Sequence, residues 1–221
     1  GESAEGFYIH TLDTIDVVTG WSELVAIWGK QQERVGAGVD RIRRRLPFPL
    51  LGLDCDNGTE FINQGLYDYC RRHRIEFTRS RPYRKNDQAH VEQRNWFAIR
   101  RMVGYDCYCS KESYAQMVKV YELLQDYMNF FEPIRKLVSK ERVAGKVKKR
   151  YDQAQTPYQR LLASGALSNE KAAALRRHYE QLNPVRLRRE MEAALEKLWG
   201  LREQPKDGAR QVSKQVDVAC G

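Results

Sequence analysis

No apolar run in these 221 residues approaches the roughly 20 needed to span a bilayer, and no signal peptide is evident. That pattern predicts no membrane partner and a cytoplasmic location. Cysteine is sparse and odd in number, at five without a regular framework, which argues against a disulfide scaffold and suits a reducing compartment. Cys107-Tyr108-Cys109 lacks a second pair at zinc-binding spacing, so it reads as small, half-buried thiols rather than a metal site. There is no internal repeat, which excludes a solenoid. Acid is scarce relative to base: 29 Asp and Glu stand against 38 Lys and Arg, a net charge of +9 with a pI near 9.3. Such a balance favours a polyanionic partner, nucleic acid or an anionic membrane. Hydrophobic residues make up 42%, enough for one sizeable domain plus an appendage.

What is present has clear order. Phe7 to Val17 reads as a strand, Thr19-Gly20 as a turn, and Trp21 to Trp28 as the returning strand of a hairpin. Lys30 to Leu46 places Val35, Val39, Ile42 and Leu46 at helical spacing, with Gly36 and Gly38 weakening it. Pro47 and Pro49 end that helix. Ser113 to Phe131 is a strong helix, with Tyr114, Met117, Tyr121, Leu124, Met128 and Phe131 on one side. Residues 134–151 carry eight basic side chains against Glu141 and show no element. Thr156-Pro157 opens a short helix near Leu161, and Asn169 to Leu182 is another. Asn183-Pro184 forms an N-cap and first-turn pair for a helix to about Leu201, striped by Leu187, Met191, Leu195 and Leu198. Trp21, Trp28 and Trp96 are most simply core residues.

The stretch from Leu50 to Val103 carries the chemistry. An apolar strand, residues 49–56, ends in acid at Asp54 and Asp56, and Asn57-Gly58 then turns the chain. A helix follows with Phe61, Ile62, Leu66, Tyr69 and Cys70 on one face. The strand Ile75-Glu76-Phe77-Thr78 leads to a basic loop, residues 79–85. A last helix from about Asn86 aligns Glu92, Trp96, Ile99 and Val103 on one stripe. A carboxylate leading an apolar stripe needs a partner, and a bound cation is one. Asp56 and Glu92 are the two acids a metal could share. Asp54 competes with Asp56 for the strand position, since residues two apart share a face.

Asp56-Asn57-Gly58-Thr59-Glu60-Phe61 resembles the second-aspartate motif of retroviral-integrase-like (Asp-Asp-Glu) transposases, and residues 83–95 resemble their catalytic glutamate helix. From Asp56 to Glu92 is 92 − 56 = 36 positions, the spacing typical of that superfamily. The likeness is closest to bacterial insertion-sequence transposases. It implies an α/β fold, a ribonuclease-H-like mixed sheet flanked by helices, which the order of elements also suggests. It implies metal-dependent DNA phosphoryl transfer, with Asp56 and Glu92 as catalytic residues holding two Mg²⁺ (or Mn²⁺) ions. The partners implied are mobile-element ends and target DNA, bound by a homo-oligomer.

The same resemblance brings Tyr83 and Gln88 to the DNA end, with Arg84, Lys85 and Arg94 among the phosphate-holding bases. A second basic group, Lys136, Lys140, Arg142, Lys146, Lys148, Lys149 and Arg150, is expected to contact DNA as well. The first aspartate of the family is expected upstream of Gly1, so the chain is expected to be a fragment. Glu2 is the position given by an ungapped comparison with viral integrases, and Asp16 reads as a structural acid ahead of Thr19-Gly20-Trp21. The expected organisation is a catalytic core over 1–132 lacking its first strand, a basic linker over 133–165, a helical extension over 166–202, and a loose tail over 203–221. The alternatives are a non-catalytic DNA-binding transposase remnant and a ribonuclease-H-type nuclease, which shares the fold and metal logic.

Overall fold

The computed structural model describes residues 8–29, 32–55, 64–79, 102–104, 106–143 and 146–202. The first hairpin pairs β1 (Ile9–Ile15) with β2 (Ser22–Trp28), antiparallel and in register from Ile9↔Trp28 to Ile15↔Ser22. Its turn is built by Asp16. The carboxylate Oδ2 accepts from both the backbone N–H and the hydroxyl of Thr19, each at 2.6 Å. The Asp16 carbonyl accepts from Gly20, whose φ of 78° suits glycine alone at low cost. Asp16 is thus the structural acid its sequence context indicates.

Side chains alternate across a strand, and β2 uses both faces. Val25 and Ile27 pack with Leu12 against α1 (Gln32–Arg45), through Val35, Val39 and Ile42. Leu24 and Ala26 pack instead against α3 (Lys111–Phe130), through Met117, Val120, Tyr121 and Leu124. The fit on the α1 side is close. A Cβ added at Gly38 would stand 2.3 Å from Leu12 Cδ1 and 3.0 Å from Ile27 Cγ2, whereas one at Gly36 would meet nothing within 4 Å.

The outer edge of β2 is not left bare. Asn129 donates to the Ser22 carbonyl at 2.9 Å and accepts from its N–H at 2.8 Å. Gln125 donates to the Leu24 carbonyl at 3.1 Å, while Arg41 and Tyr114 both donate to the Ala26 carbonyl, at 2.9 and 3.2 Å. Side chains of two helices therefore take the place of a neighbouring strand, which blunts an edge that would otherwise invite pairing.

Next in the chain, β3 (Gly52–Cys55) and β4 (Glu76–Arg79) pair in parallel, joined through α2 (Gln64–Arg72). Cys55, Leu66, Cys70 and Ile75 join the α1 side of the core. The sequence suggests one mixed sheet, but the described residues form three two-stranded sheets. Among the described residues the first two are tied together by side chains on α1, not by a shared strand ladder. The strand expected over 49–56 is also shorter and less buried than a central strand. Leu51 is 77% exposed, and only Cys55 of the four β3 residues is buried.

The rest of the chain closes the other side. Thr156 caps α4 (Pro157–Ala163) in a reciprocal arrangement with Gln159, Ser168 caps α5 (Asn169–Gln181), and Asn183 caps α6 (Pro184–Gly200). Met191, Ala194, Leu195 and Leu198 of α6 lie in the same core cluster as α3. A smaller aromatic cluster joins Trp21, Phe130, Tyr158 and Leu161, with Tyr179 stacked on Tyr158 at 4.7 Å between ring centroids. Trp28 is half-buried and tilted against Tyr114.

The basic segment, which shows no element in the sequence, is a second antiparallel hairpin. It pairs β5 (Leu137–Val143) with β6 (Lys146–Tyr151), with a register irregularity between Leu137 and Ser139.

Candidate functional site

Asp56, Glu92, Tyr83, Arg84, Lys85, Gln88 and Arg94 lie outside the described residues. What is described is the scaffold next to them. Cys55 and Arg79 are register partners at the carboxyl ends of β3 and β4, so the chain reaches residues 56 and 80 from adjacent strand ends. In open α/β sheets that end is where ligands bind. The last described acid there is Asp54. Its exposed carboxylate accepts from the Thr78 hydroxyl at 2.7 Å, tying the two strands together. Among the described residues no group of three His, Cys, Asp or Glu side chains could hold a metal.

Cys107 is exposed and Cys109 half-buried, while Cys55 and Cys70 are buried thiols outside any disulfide. Burial pushes the Cys70 thiol up from its ordinary value, so it is an inert core group and not a nucleophile.

Glu23 is the most buried acid described, at 4% exposed. Trp21 Nε1 donates to Oε1 at 3.0 Å, and Arg45 Nε lies 3.3 Å from Oε2. The Arg45 contact is one of charge, since Oε2 receives no hydrogen bond. Burial raises the Glu23 carboxyl above its ordinary range, with Trp21 and Arg45 pulling it back. It faces the polar seam where Arg45 also donates to Gln125 Oε1 at 2.9 Å, and it supports the fold.

The clearest surface for a ligand is the β5–β6 hairpin. All of β6 is exposed, as are Lys140, Glu141 and Arg142 of β5. Lys140 stands directly opposite Lys149, Glu141 opposite Lys148, and Arg142 opposite Val147. Val138 at 63%, Val147 at 48% and Tyr151 at 49% exposed add apolar surface among the cations. Lys136 behaves differently from the other bases expected to bind DNA. Its ammonium donates to the carbonyls of Val17 and Val18 in the first hairpin turn, so it fastens the ribbon to the body.

The base of the ribbon is a built joint. Asp152 Oδ1 accepts from the Lys136 N–H and Oδ2 from Arg160 Nη1, both at 2.6 Å. Arg160 Nη2 also donates to the carbonyls of Ile134 at 2.9 Å and Gln153 at 3.3 Å. The Arg160 guanidinium, followed by the Lys136 N–H, holds the Asp152 carboxyl below the usual aspartate range. No sequence signal short of the Arg160–Asp152 spacing of eight points to this clamp.

No protein-family model matches the chain. Over 151 residues it is 40% identical to the uncharacterized protein y4rM of Sinorhizobium fredii (strain NBRC 101917 / NGR234), a match covering 68% of this chain and 43% of that protein. The chain thus spans less than half the length of this relative. Among solved structures, the catalytic core domain of BIV integrase aligns with 71% of this chain and 93% of its own, at TM-score 0.43 and 18% identity. A simian T-cell lymphotropic virus intasome in complex with PP2A regulatory subunit B56 gamma aligns with 70% of this chain and 64% of the matched one, at TM-score 0.45 and 12% identity. The HTLV-2 integrase catalytic core domain in complex with magnesium aligns with 57% and 86%, at TM-score 0.41 and 12% identity. At TM-scores below 0.5 these likenesses are too loose to assign the fold. No helix among the described residues is long and apolar enough to cross a membrane.

Proposed function

We propose that this chain is a DNA strand-transferring domain of the integrase and transposase kind, closest to those of bacterial insertion sequences, with Asp56 and Glu92 as its metal-binding catalytic carboxylates. The observation that carries the reading is the pair of motifs 36 positions apart (92 − 56), joined to adjacent carboxyl ends of two parallel strands. Both donors are hard carboxylate oxygens, the ligand chemistry that Mg²⁺ and Mn²⁺ take, so in donor type they suit such ions. When bound, those ions supply charge neutralisation and activation at the reacting phosphate.

In this reading the chain's own residues position the DNA. Tyr83, Arg84, Lys85, Gln88 and Arg94 hold the element end beside the carboxylates. The exposed ribbon cations Lys140, Arg142, Lys146, Lys148, Lys149 and Arg150 hold backbone phosphates further away. Lys136 contributes to the joint beneath them. The partner is DNA, element end and target, held by more than one copy of the protein.

The test is strand transfer between labelled DNA ends and target DNA, with Mg²⁺ or Mn²⁺, by the protein at its natural length. Asp56→Asn and Glu92→Gln should each abolish joining while leaving DNA affinity equal or higher, because negative charge near phosphate is removed. Undiminished joining by either variant would remove that residue from the chemistry.

A further inference from the structure

The β5–β6 ribbon carries cations on both of its faces. Side chains alternate across each strand, so Lys140 and Arg142 share one face with their register partners Lys149 and Val147. Lys146, Lys148 and Arg150, two residues apart, line the other face with Ser139 and Glu141. Only Lys148 has an acid opposite it, and Lys140 faces Lys149 directly. Like charges opposed across strands are destabilising, and a two-stranded ribbon is marginal by itself. Among the described residues, β5 and β6 pair only with each other. The ribbon is therefore held by its clamped base and sets its cations against a single acid, Glu141, with Lys140 directly opposite Lys149, an imbalance that a polyanion relieves.

The distribution of charge selects among polyanions. A flat anionic surface, such as a lipid headgroup layer, can meet one face of a ribbon and leaves the other unmatched. A nucleic-acid groove presents a phosphate wall to each face. A two-stranded ribbon fits the major groove of B-form DNA, about 12 Å wide, whereas side chains cannot read the deep, narrow major groove of A-form RNA. Strands of 7 and 6 residues extend about 20 Å at ~3.4 Å per residue, roughly six base pairs at 3.4 Å each.

We propose that the β5–β6 ribbon enters the major groove of B-form DNA, with Lys140, Arg142 and Lys149 against one phosphate wall and Lys146, Lys148 and Arg150 against the other. The proposal shares DNA as partner with the function proposed above but needs no strand transfer, so binding alone tests it. The ribbon offers lysines, Arg142 and Arg150, and no Asn or Gln on its described exposed faces, so the base its side chains suit is guanine rather than adenine.

The experiment measures affinity of the whole chain for a 20-base-pair DNA duplex by fluorescence anisotropy across a salt series. Two triple variants are compared, K140Q/R142Q/K149Q and K146Q/K148Q/R150Q, with K146R/K148R/R150K as the charge-preserving control. Each Gln triple should lower the slope of log affinity against log salt by about one per residue replaced, and the charge-preserving triple should keep the wild-type slope. All six positions are exposed, so unchanged far-ultraviolet circular dichroism and melting temperature report intact folding. Methylation of guanine N7, a major-groove atom, should interfere with binding over about six base pairs. A-form RNA duplex should bind more weakly and be indifferent to the substitutions. Loss confined to one triple, absence of N7 interference, or equal sensitivity with RNA would each overturn groove entry. Capture on phosphatidylserine vesicles that both Gln triples abolish, with DNA binding unaffected, would replace it with a membrane contact.

Discussion

Arg160 locks the base of the basic hairpin to the body of the protein through Asp152, Nη1 to Oδ2 at 2.6 Å. Because the same Asp152 carboxylate receives the Lys136 N–H, one side chain joins α4 to both strands' roots. Replacing Asp152 with Asn leaves shape but removes the charge. Amide hydrogen exchange should then quicken across β5 and β6 while that of α3 is unchanged. The effect has a defined pH window. The native carboxyl is held below its ordinary value, about 3.9, so its contribution is full above that value and is lost as pH falls through the lowered native one. The exchange difference between wild type and D152N should persist at pH 5. Equal exchange there would mean the clamp does not hold the ribbon.

Two glycines one turn-fraction apart on α1 should respond in opposite directions. Gly36→Ala adds a methyl to open space and removes a helix-interior glycine, a gain of about 1 kcal/mol. Gly38→Ala gains the same propensity but drives Cβ into Leu12 and Ile27, both nearly fully buried. Overpacking of that kind costs about 1–3 kcal/mol, so the net change should be destabilising. Urea unfolding of the two variants checks the sign of each, and a stabilised G38A would show that α1 is not seated on β1 and β2 as described.

Glu23 should make the fold less stable as pH rises. Burial lifts its native carboxyl above the unfolded value, so the native state binds that proton more tightly. The contribution is favourable below the ordinary glutamate value, about 4.3, and disappears as pH climbs through the raised one. Glu23→Gln keeps an oxygen acceptor for Trp21 and has no proton to lose. The melting temperature of E23Q relative to wild type should therefore increase between pH 4 and pH 7. A constant difference across that range would show that Arg45 fully offsets the burial.

Much of this was legible in the residues themselves. Local chemistry announces itself locally: Thr156-Pro157 and Asn183-Pro184 mark helix starts that the structure has at those positions. Val35, Val39 and Ile42 mark a buried face that is buried. The basic hairpin escaped because strands are recognised by apolar alternation, and a ribbon solvated on both faces has none. Gln125 and Asn129 also escaped, since nothing in a helix sequence says that a polar residue will meet the edge of a strand about 100 positions away. Of the proposed site, the motif residues Asp56 and Glu92 are read from sequence, and the structure contributes the paired strand ends beside them.

The packing of α6 on α3 has a consequence for how the protein is made. Met191, Ala194, Leu195 and Leu198 cover part of the apolar face that includes Met117, Val120, Tyr121 and Leu124, and Trp199 Nε1 donates to the Met102 carbonyl at 3.1 Å. A ribosome delivers these residues after the face they cover. For the interval between synthesis of Phe130 and of Trp199, at roughly 5–20 residues per second, the nascent chain carries an uncovered greasy helix face for several seconds. A transcript cut short within that interval yields a product that is sticky rather than merely shorter.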